Sequence, residues 1–271
     1  MQYDPIKRSL GSVFNKTPLL RILFYRLLDL LLLRSWHVKK EIRKWAKLPA
    51  PHKRFLLDAG SGFGQYSYFM SGLNKSWFVD AVDVKEEQIA DCNNFFSRIG
   101  RNNVIFEIAD LTKFSKPDRF DLILSVDVME HILEDELVFK NFYASLKEGG
   151  LLIVSTPSDQ GGSDVHDHDH EGGSFIDEHV RDGYNIEEIC MKLKKAGFRN
   201  AEAAYTYGTP GQIGWKLSMK YPILLLNASK IFFIILPFYY VITYPIAFVC
   251  NWLDCIMKHT TGTGLIVKAY K

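Results

Sequence analysis

A short apolar strand running straight into three closely spaced glycines constrains this chain more than any other feature. Phe55-Leu56-Leu57-Asp58 is followed at once by Gly60, Gly62 and Gly64. Such a turn, opening a helix, places backbone N–H groups and a helix N-terminus at the carboxyl edge of a sheet. From Arg54 onward the pattern alternates. Strands are expected at 77–84, 104–109, 120–126 and 151–155, and helices at 65–70, 86–100 and 128–146. An amphipathic helix at 185–196 is closed by Gly197, and strands follow at 199–207 and 264–270. Alternation of this kind predicts an α/β fold of βαβ units, with a parallel sheet covered on both faces.

The glycine spacing is GxGxG rather than GxGxxG. Asp58 precedes the loop, Asp83 ends the next strand and Asp110 follows the third. An acid at the end of the second strand accepts hydrogen bonds from both ribose hydroxyls of a nucleoside. A dinucleotide wants the longer fingerprint to seat its pyrophosphate, so NAD is disfavoured.

These segments resemble the class I S-adenosylmethionine-dependent methyltransferases, in the subgroup that includes quinone-biosynthesis enzymes. Residues 56–64 are similar to the family's first motif, Val82-Asp83-Val84 to its ribose-binding acid and Ala109-Asp110-Leu111 to its adenine-side acid. Residues 120–132 are similar to the fourth motif and 146–154 to the following turn and strand. Glu178-His-Val-Arg-Asp-Gly-Tyr and Lys195-Ala-Gly-Phe198 also match that subgroup. The resemblance covers about residues 54–207 and departs at Lys85, where the family often has an apolar residue. It implies a Rossmann-like sheet, mostly parallel with an antiparallel last strand, and S-adenosyl-L-methionine as cofactor. It puts Asp58, Gly60, Gly62 and Gly64 against the methionine moiety, Asp83 on the ribose, and Asp110 with Leu111 near adenine. Ser125 and Asp127, in the fourth motif, complete the cofactor-binding set.

A sulfonium methyl is already a strong electrophile, so the protein chiefly has to align a nucleophile and remove its proton. On a helix starting after the fourth strand, Asp127, Glu130 and His131 share one face. His131 is the expected general base, with Glu130 beside it and His179 as a further substrate-side residue. Two alternatives stand beside this reading. The trio could hold a divalent cation, as a Glu-x-x-Glu-His set does in some related methyltransferases, or it could be merely structural. His166, His168 and His170 alternate with acids in a polar stretch that reads as a solvated lid more readily than as a metal site.

The charge is segregated. Residues 1–53 hold 12 Lys/Arg against three acids, 54–211 hold 15 against 27, and 212–271 hold six against one. An acidic body with basic ends points to a polyanionic neighbour. The basic segments carry leucine rather than a nucleic-acid-reading module, so an anionic membrane surface is favoured and nucleic acid is not. A helix is expected over 18–47, packed on the body or lying in the membrane plane. Its interrupting charges argue against a signal peptide. The four cysteines show no metal or disulfide spacing, which suits a reducing compartment.

Residues 231–253 carry no charge, a run long enough to span a bilayer. If the last strand rejoins the sheet, both ends of that run lie on one side of any membrane. A shallow or re-entrant helical hairpin, bent near Pro237 or Pro245, is then expected; a water-facing substrate lid or a dimer interface is the alternative. The organisation expected is a basic amphipathic helical region (1–53), a cofactor-binding methyltransferase core (54–211), a hydrophobic helical insertion (212–262) and a last core strand (263–271). The function expected is a transferase at the cytoplasmic face of a membrane, methylating an apolar or lipid-linked small molecule, with oxygen favoured as acceptor. A soluble cytoplasmic enzyme with a hydrophobic lid and a membrane-tethered cofactor-binding protein without turnover are the rivals.

Overall fold

The computed structural model describes residues 17–49, 53–161, 180–229 and 231–271. Seven strands form one sheet: β1 (Arg54–Ala59), β2 (Trp77–Asp83), β3 (Val104–Ile108), β4 (Phe120–Val126), β5 (Leu146–Pro157), β6 (Asn200–Thr206) and β7 (Gly264–Tyr270). Their order is β3-β2-β1-β4-β5-β7-β6. The first five are parallel, and β7 runs antiparallel between β5 and β6. This is the mostly parallel sheet with an antiparallel last strand that the family resemblance implies.

Both faces of the sheet are covered, and the strands feed both. In β1, Leu57 belongs to one apolar core and its neighbour Leu56 to the other; Ile123 and Leu122 divide likewise in β4. That division follows from the two-residue period of a strand. Leu57's core is closed by α5 (Asp135–Ser145) and α6 (Ile186–Ala196), through Phe139, Phe142, Ile189 and Leu193. The other is closed by α2 (Leu33–Ala46), α3 (Gln65–Leu73) and α4 (Glu86–Arg98), through Val38, Ile42, Met70, Ile89 and Phe96.

Three expectations need correction. The helix expected over 18–47 is two helices, α1 (Pro18–Leu31) and α2, separated at Leu32, whose backbone is extended (φ −91°, ψ 107°). The break lets α2 bury Val38, Ile42 and Trp45 against the sheet while α1 crosses toward the glycine loop. The helix expected over 128–146 begins only at Asp135. Asp127 adopts a left-handed φ of 50°, Met129–His131 form a single 3₁₀ turn, and Ile132 is extended. The apolar hairpin does not bend at its prolines. α7 (Thr209–Trp215) continues through a π turn (Lys216–Lys220) into α8 (Tyr221–Ala228), and α9 (Phe232–Ile256) runs unbroken past Pro237 and Pro245. The reversal falls between α8 and α9.

The foot of α9 is tied to the body by one buried acid. Asp254 is fully buried and pairs with His37 Nε2 of α2 (2.8 Å) and His259 Nε2 (3.1 Å). It also accepts from the backbone N–H of Tyr207 (3.1 Å) and Gly211 (3.1 Å). A Cβ at Gly211 would sit 2.5 Å from Asp254 Oδ1, so only glycine lets α7 approach this closely. Asp254→Ala leaves the His37 imidazole and two amides without their acceptor, while His259 keeps the Asp254 carbonyl (3.0 Å). It should lower unfolding stability by about 3 kcal/mol, read from urea denaturation; an unchanged midpoint would show that the tie carries no stability.

Candidate functional site

The parallel strands all end on one edge, and Asp58, the glycine loop, Asp83, Asp110, Ser125 and Asp127 lie at or just beyond those strand ends. After β1 the loop turns back on itself. The N–H groups of Gly60 and Ser61 donate to the Val82 carbonyl (2.8 and 2.9 Å), and that of Gly64 to the Ser61 carbonyl (2.8 Å). The Gly62 N–H donates to Asp83 Oδ2 (2.9 Å). Four amides that could cradle a pyrophosphate are thus engaged within the protein. Gly60 has φ 82°, and a Cβ there would lie 2.2 Å from Val128 Cγ2. Gly62, with φ 49°, faces open space except for Gln88 Oε1 at 3.9 Å. The first glycine is required by packing and the second leaves room over the loop.

Asp58 lies at the floor, 2% exposed, and accepts a hydrogen bond from Ser67 Oγ (2.5 Å). Burial pushes its carboxyl up to about 6, against the opposing pull of the Ser67 bonds. At the end of β2, Asp83 Oδ1 accepts from the Lys85 N–H (3.0 Å), while Oδ2 holds Gly62. Asp110 is exposed beyond β3 and accepts from the Thr112 N–H (2.9 Å) and hydroxyl (2.7 Å), bonds that hold it below the usual carboxylate range. Leu111 beside it is buried in the core. Ser125 pairs in register with Ala59 of β1, next to the loop. Its hydroxyl and that of Ser61 are buried without a hydrogen-bond partner among the described residues.

The remaining sequence candidates do not form the helical trio expected. Without a helix at 127–131 the shared face is lost. Asp127 forms an ion pair with Arg34 of α2. Glu130 turns inward, 1% exposed, and accepts from Thr156 Oγ1 of β5 (3.1 Å); burial raises its pKa. His131 is exposed on the same turn. No three His, Cys, Asp or Glu among the described residues are grouped to hold a metal ion. His166, His168, His170 and His179 lie outside the described residues.

Sequence reasoning missed the contacts that Asp29 of α1 and Arg34 and Ser35 of α2 make with this edge. The Arg34 N–H donates to the Tyr207 hydroxyl (3.0 Å), and Ser35 Oγ meets the Tyr66 hydroxyl at 3.3 Å. Gln65 Nε2 donates to Asp29 Oδ1 (2.6 Å) and Ser35 Oγ (3.0 Å). Burial raises the pKa of Tyr66 and Tyr207, so both remain phenols with protons to donate. Asp127 and Tyr207 share an unusual left-handed backbone. Asp127's ion-pair partner, Arg34, lies 93 positions away in the chain, so no local motif betrays it.

A family model described as a methyltransferase domain matches residues 53–204, more than half of the chain. The chain belongs to the class I S-adenosylmethionine-dependent methyltransferases. Wheat phosphoethanolamine N-methyltransferase is 29% identical over 150 residues, covering 55% of this methyltransferase but only 28% of the wheat protein. The ubiquinone biosynthesis O-methyltransferase of Pelagibacter ubique is 25% identical over 128 residues, 46% of this chain and 52% of that one. Among solved structures, Haemonchus contortus phosphoethanolamine N-methyltransferase 2, in complex with S-adenosyl-L-methionine, superposes with a TM-score of 0.60. It is 17% identical, over 97% of this chain and 59% of that one. A methyltransferase from Aquifex aeolicus gives 0.51 at 19% identity, over 75% and 93%. The two structural likenesses establish the fold. The relatives include both N- and O-methyltransferases, and the apolar hairpin lies outside the matched domain.

The raised Asp58 has a consequence for stability. Between the usual carboxylate range and about pH 6 the native protein keeps a proton that the unfolded chain releases, so stability falls as pH rises through that window. The loss is on the order of 3 kcal/mol. Asp58→Asn should remove most of that slope in unfolding titrations from pH 4 to 7, whereas an unchanged slope would assign it to other groups.

Proposed function

We propose that this methyltransferase works at a membrane surface and methylates an oxygen or nitrogen of an apolar or lipid-linked small molecule. One observation carries the membrane part of the reading. α9 is long and apolar enough to cross a membrane by length and composition, yet only 6% of its most apolar 18-residue stretch is buried within the protein. Ile234, Phe238, Val241, Ile242, Val249 and Trp252 are exposed along its length. An apolar face of that extent in water is costly unless something covers it. Both ends of the hairpin return to the sheet, so α9 enters the interface without passing a chain terminus through it. Tyr and Trp side chains along it suit the headgroup level.

The cofactor-binding residues fit S-adenosylmethionine. In this reading Asp58, buried under the loop, faces the cofactor's ammonium group. Asp83 keeps unused lone pairs on both oxygens for the ribose hydroxyls. Asp110 and Leu111 flank the adenine position, and the hydroxyls of Ser61 and Ser125, unpartnered among the described residues, supply further polar contacts. When bound, the cofactor supplies an electrophilic methyl group. The chain's own residues orient and deprotonate: Tyr66 and Tyr207 donate from the α2 side, and Asp127 keeps Arg34 fixed over the strand edge. His131, exposed on the turn after β4, takes the acceptor's proton, with Glu130 beneath it holding that turn to β5 through Thr156.

Isothermal titration should give Asp83→Ala at least about tenfold weaker binding of S-adenosylmethionine, the loss of one charge-assisted interaction; equal affinity would remove Asp83 from the site. With an acceptor in hand, His131→Gln should lower kcat by about a hundredfold with KM little changed, and full activity would make its role structural. The intact protein should sediment with phosphatidylglycerol vesicles, less so at high salt, whereas a protein left wholly in the supernatant would contradict the membrane reading.

A further inference from the structure

Helix α1 has two faces with different surroundings. On one, Arg21 and Tyr25 are buried a turn apart, and both hydrogen-bond the carbonyl of Phe63, the residue between Gly62 and Gly64. Arg21 Nη2 reaches that oxygen at 2.9 Å. The same guanidinium donates to Tyr25 (2.9 Å) and Cys92 Sγ (3.0 Å) and lies 4.8 Å from the Phe95 ring centroid. The hold of α1 on the cofactor loop is therefore specific and buried.

The other face is apolar and exposed. At about 100° per residue, Leu19, Leu23, Leu27 and Leu30 fall within ~80° of one another and centre roughly opposite Arg21. They are 79, 48, 37 and 44% exposed. Arg26, also exposed, borders the stripe, and the sequence ahead of α1 carries Lys7, Arg8 and Lys16 against Asp4. A leucine stripe bordered by Arg26, in a segment of basic sequence, matches an anionic leaflet. The stripe also adjoins the apolar hairpin: Tyr244 of α9 donates to the Leu30 carbonyl (3.3 Å), and Trp36 packs edge-on against Phe248.

We infer that the outer face of α1 is an anionic-membrane docking surface that couples lipid contact to the cofactor loop. The inference rests on the membrane reading above. Seating Leu19, Leu23, Leu27 and Leu30 in a leaflet selects one position of α1. Arg21 and Tyr25 pass that selection to the Phe63 carbonyl, and so to the turn bearing Gly62 and Gly64. A surface that binds the seated state alone shifts its population, and the coupling is reciprocal: cofactor strengthens vesicle binding by the same factor as vesicles strengthen cofactor binding.

The test titrates S-adenosylhomocysteine into the full chain, with and without mixed phosphatidylglycerol–phosphatidylcholine vesicles. Vesicles should tighten binding about fivefold or more, the low end of measured couplings. Saturating S-adenosylhomocysteine should raise vesicle partitioning by the same factor. Leu23→Glu/Leu27→Glu should match the unsubstituted protein without vesicles. At vesicle concentrations where it sediments through α9, it should show no gain. Leu19→Ser/Leu23→Ser, a milder change, serves if the charged variant misfolds. A protein that binds vesicles with unchanged cofactor affinity, or a charged variant that keeps the gain, would overturn the coupling and leave the membrane reading standing. A protein that binds no vesicles, or buries the leucines in a concentration-dependent dimer instead, would overturn both.

Discussion

The pairing of β7 between β5 and β6 governs the rest of the molecule. Its backbone ladder, from Leu151 opposite Tyr270 to Pro157 opposite Gly264, fixes where the chain must return after the hairpin. The opposing ladder of β6 fixes where it leaves. Residues between Thr206 and Gly264 are therefore a closed excursion from one sheet edge. An apolar helix in such an excursion can lie on or dip into a bilayer, but a single straight crossing would strand β7 on the far side. The same closure brings Asp254, at the foot of α9, beneath Tyr207, and so joins the hairpin to the wall of the site.

That wall is where two chemistries meet. On the sheet side stand three carboxylates: burial pushes Asp58 up to about 6 and raises Glu130, while Asp83 accepts hydrogen bonds from two backbone amides. On the helical side stand a guanidinium and two phenols, Arg34, Tyr66 and Tyr207. The basic N-terminal region thus meets the acidic body at this edge, through the Arg34–Asp127 ion pair and the Arg34–Tyr207 hydrogen bond.

How much of this was legible in the sequence depends on whether the signal was local. The strands and the glycine turn were, because period-two burial and positive-φ glycines leave marks within a few residues. Gly60 and Gly62 are legible for that reason, whereas the antiparallel direction of the last strand follows only from the family resemblance. The break at Leu32 was not, since leucines continue through it and only packing on the sheet makes the chain turn. Nor was the left-handed Asp127, because apolar and acidic residues after β4 satisfy a helical pattern that the Thr156–Glu130 bond overrides. The Arg34–Asp127 pair and the Asp254 hub join residues far apart in the chain, and no single-sequence periodicity records such contacts.

The most direct measurement is transfer of a radiolabelled methyl group. The purified protein, supplied with methyl-labelled S-adenosylmethionine, is offered isolated membranes and, separately, a lipid-free soluble extract. A membrane-acting methyltransferase with an apolar acceptor places label in the organic-solvent-soluble, protein-free fraction of the membranes. That label should fall sharply in Asp83→Ala. Label confined to water-soluble products of the lipid-free extract would contradict the membrane-surface function.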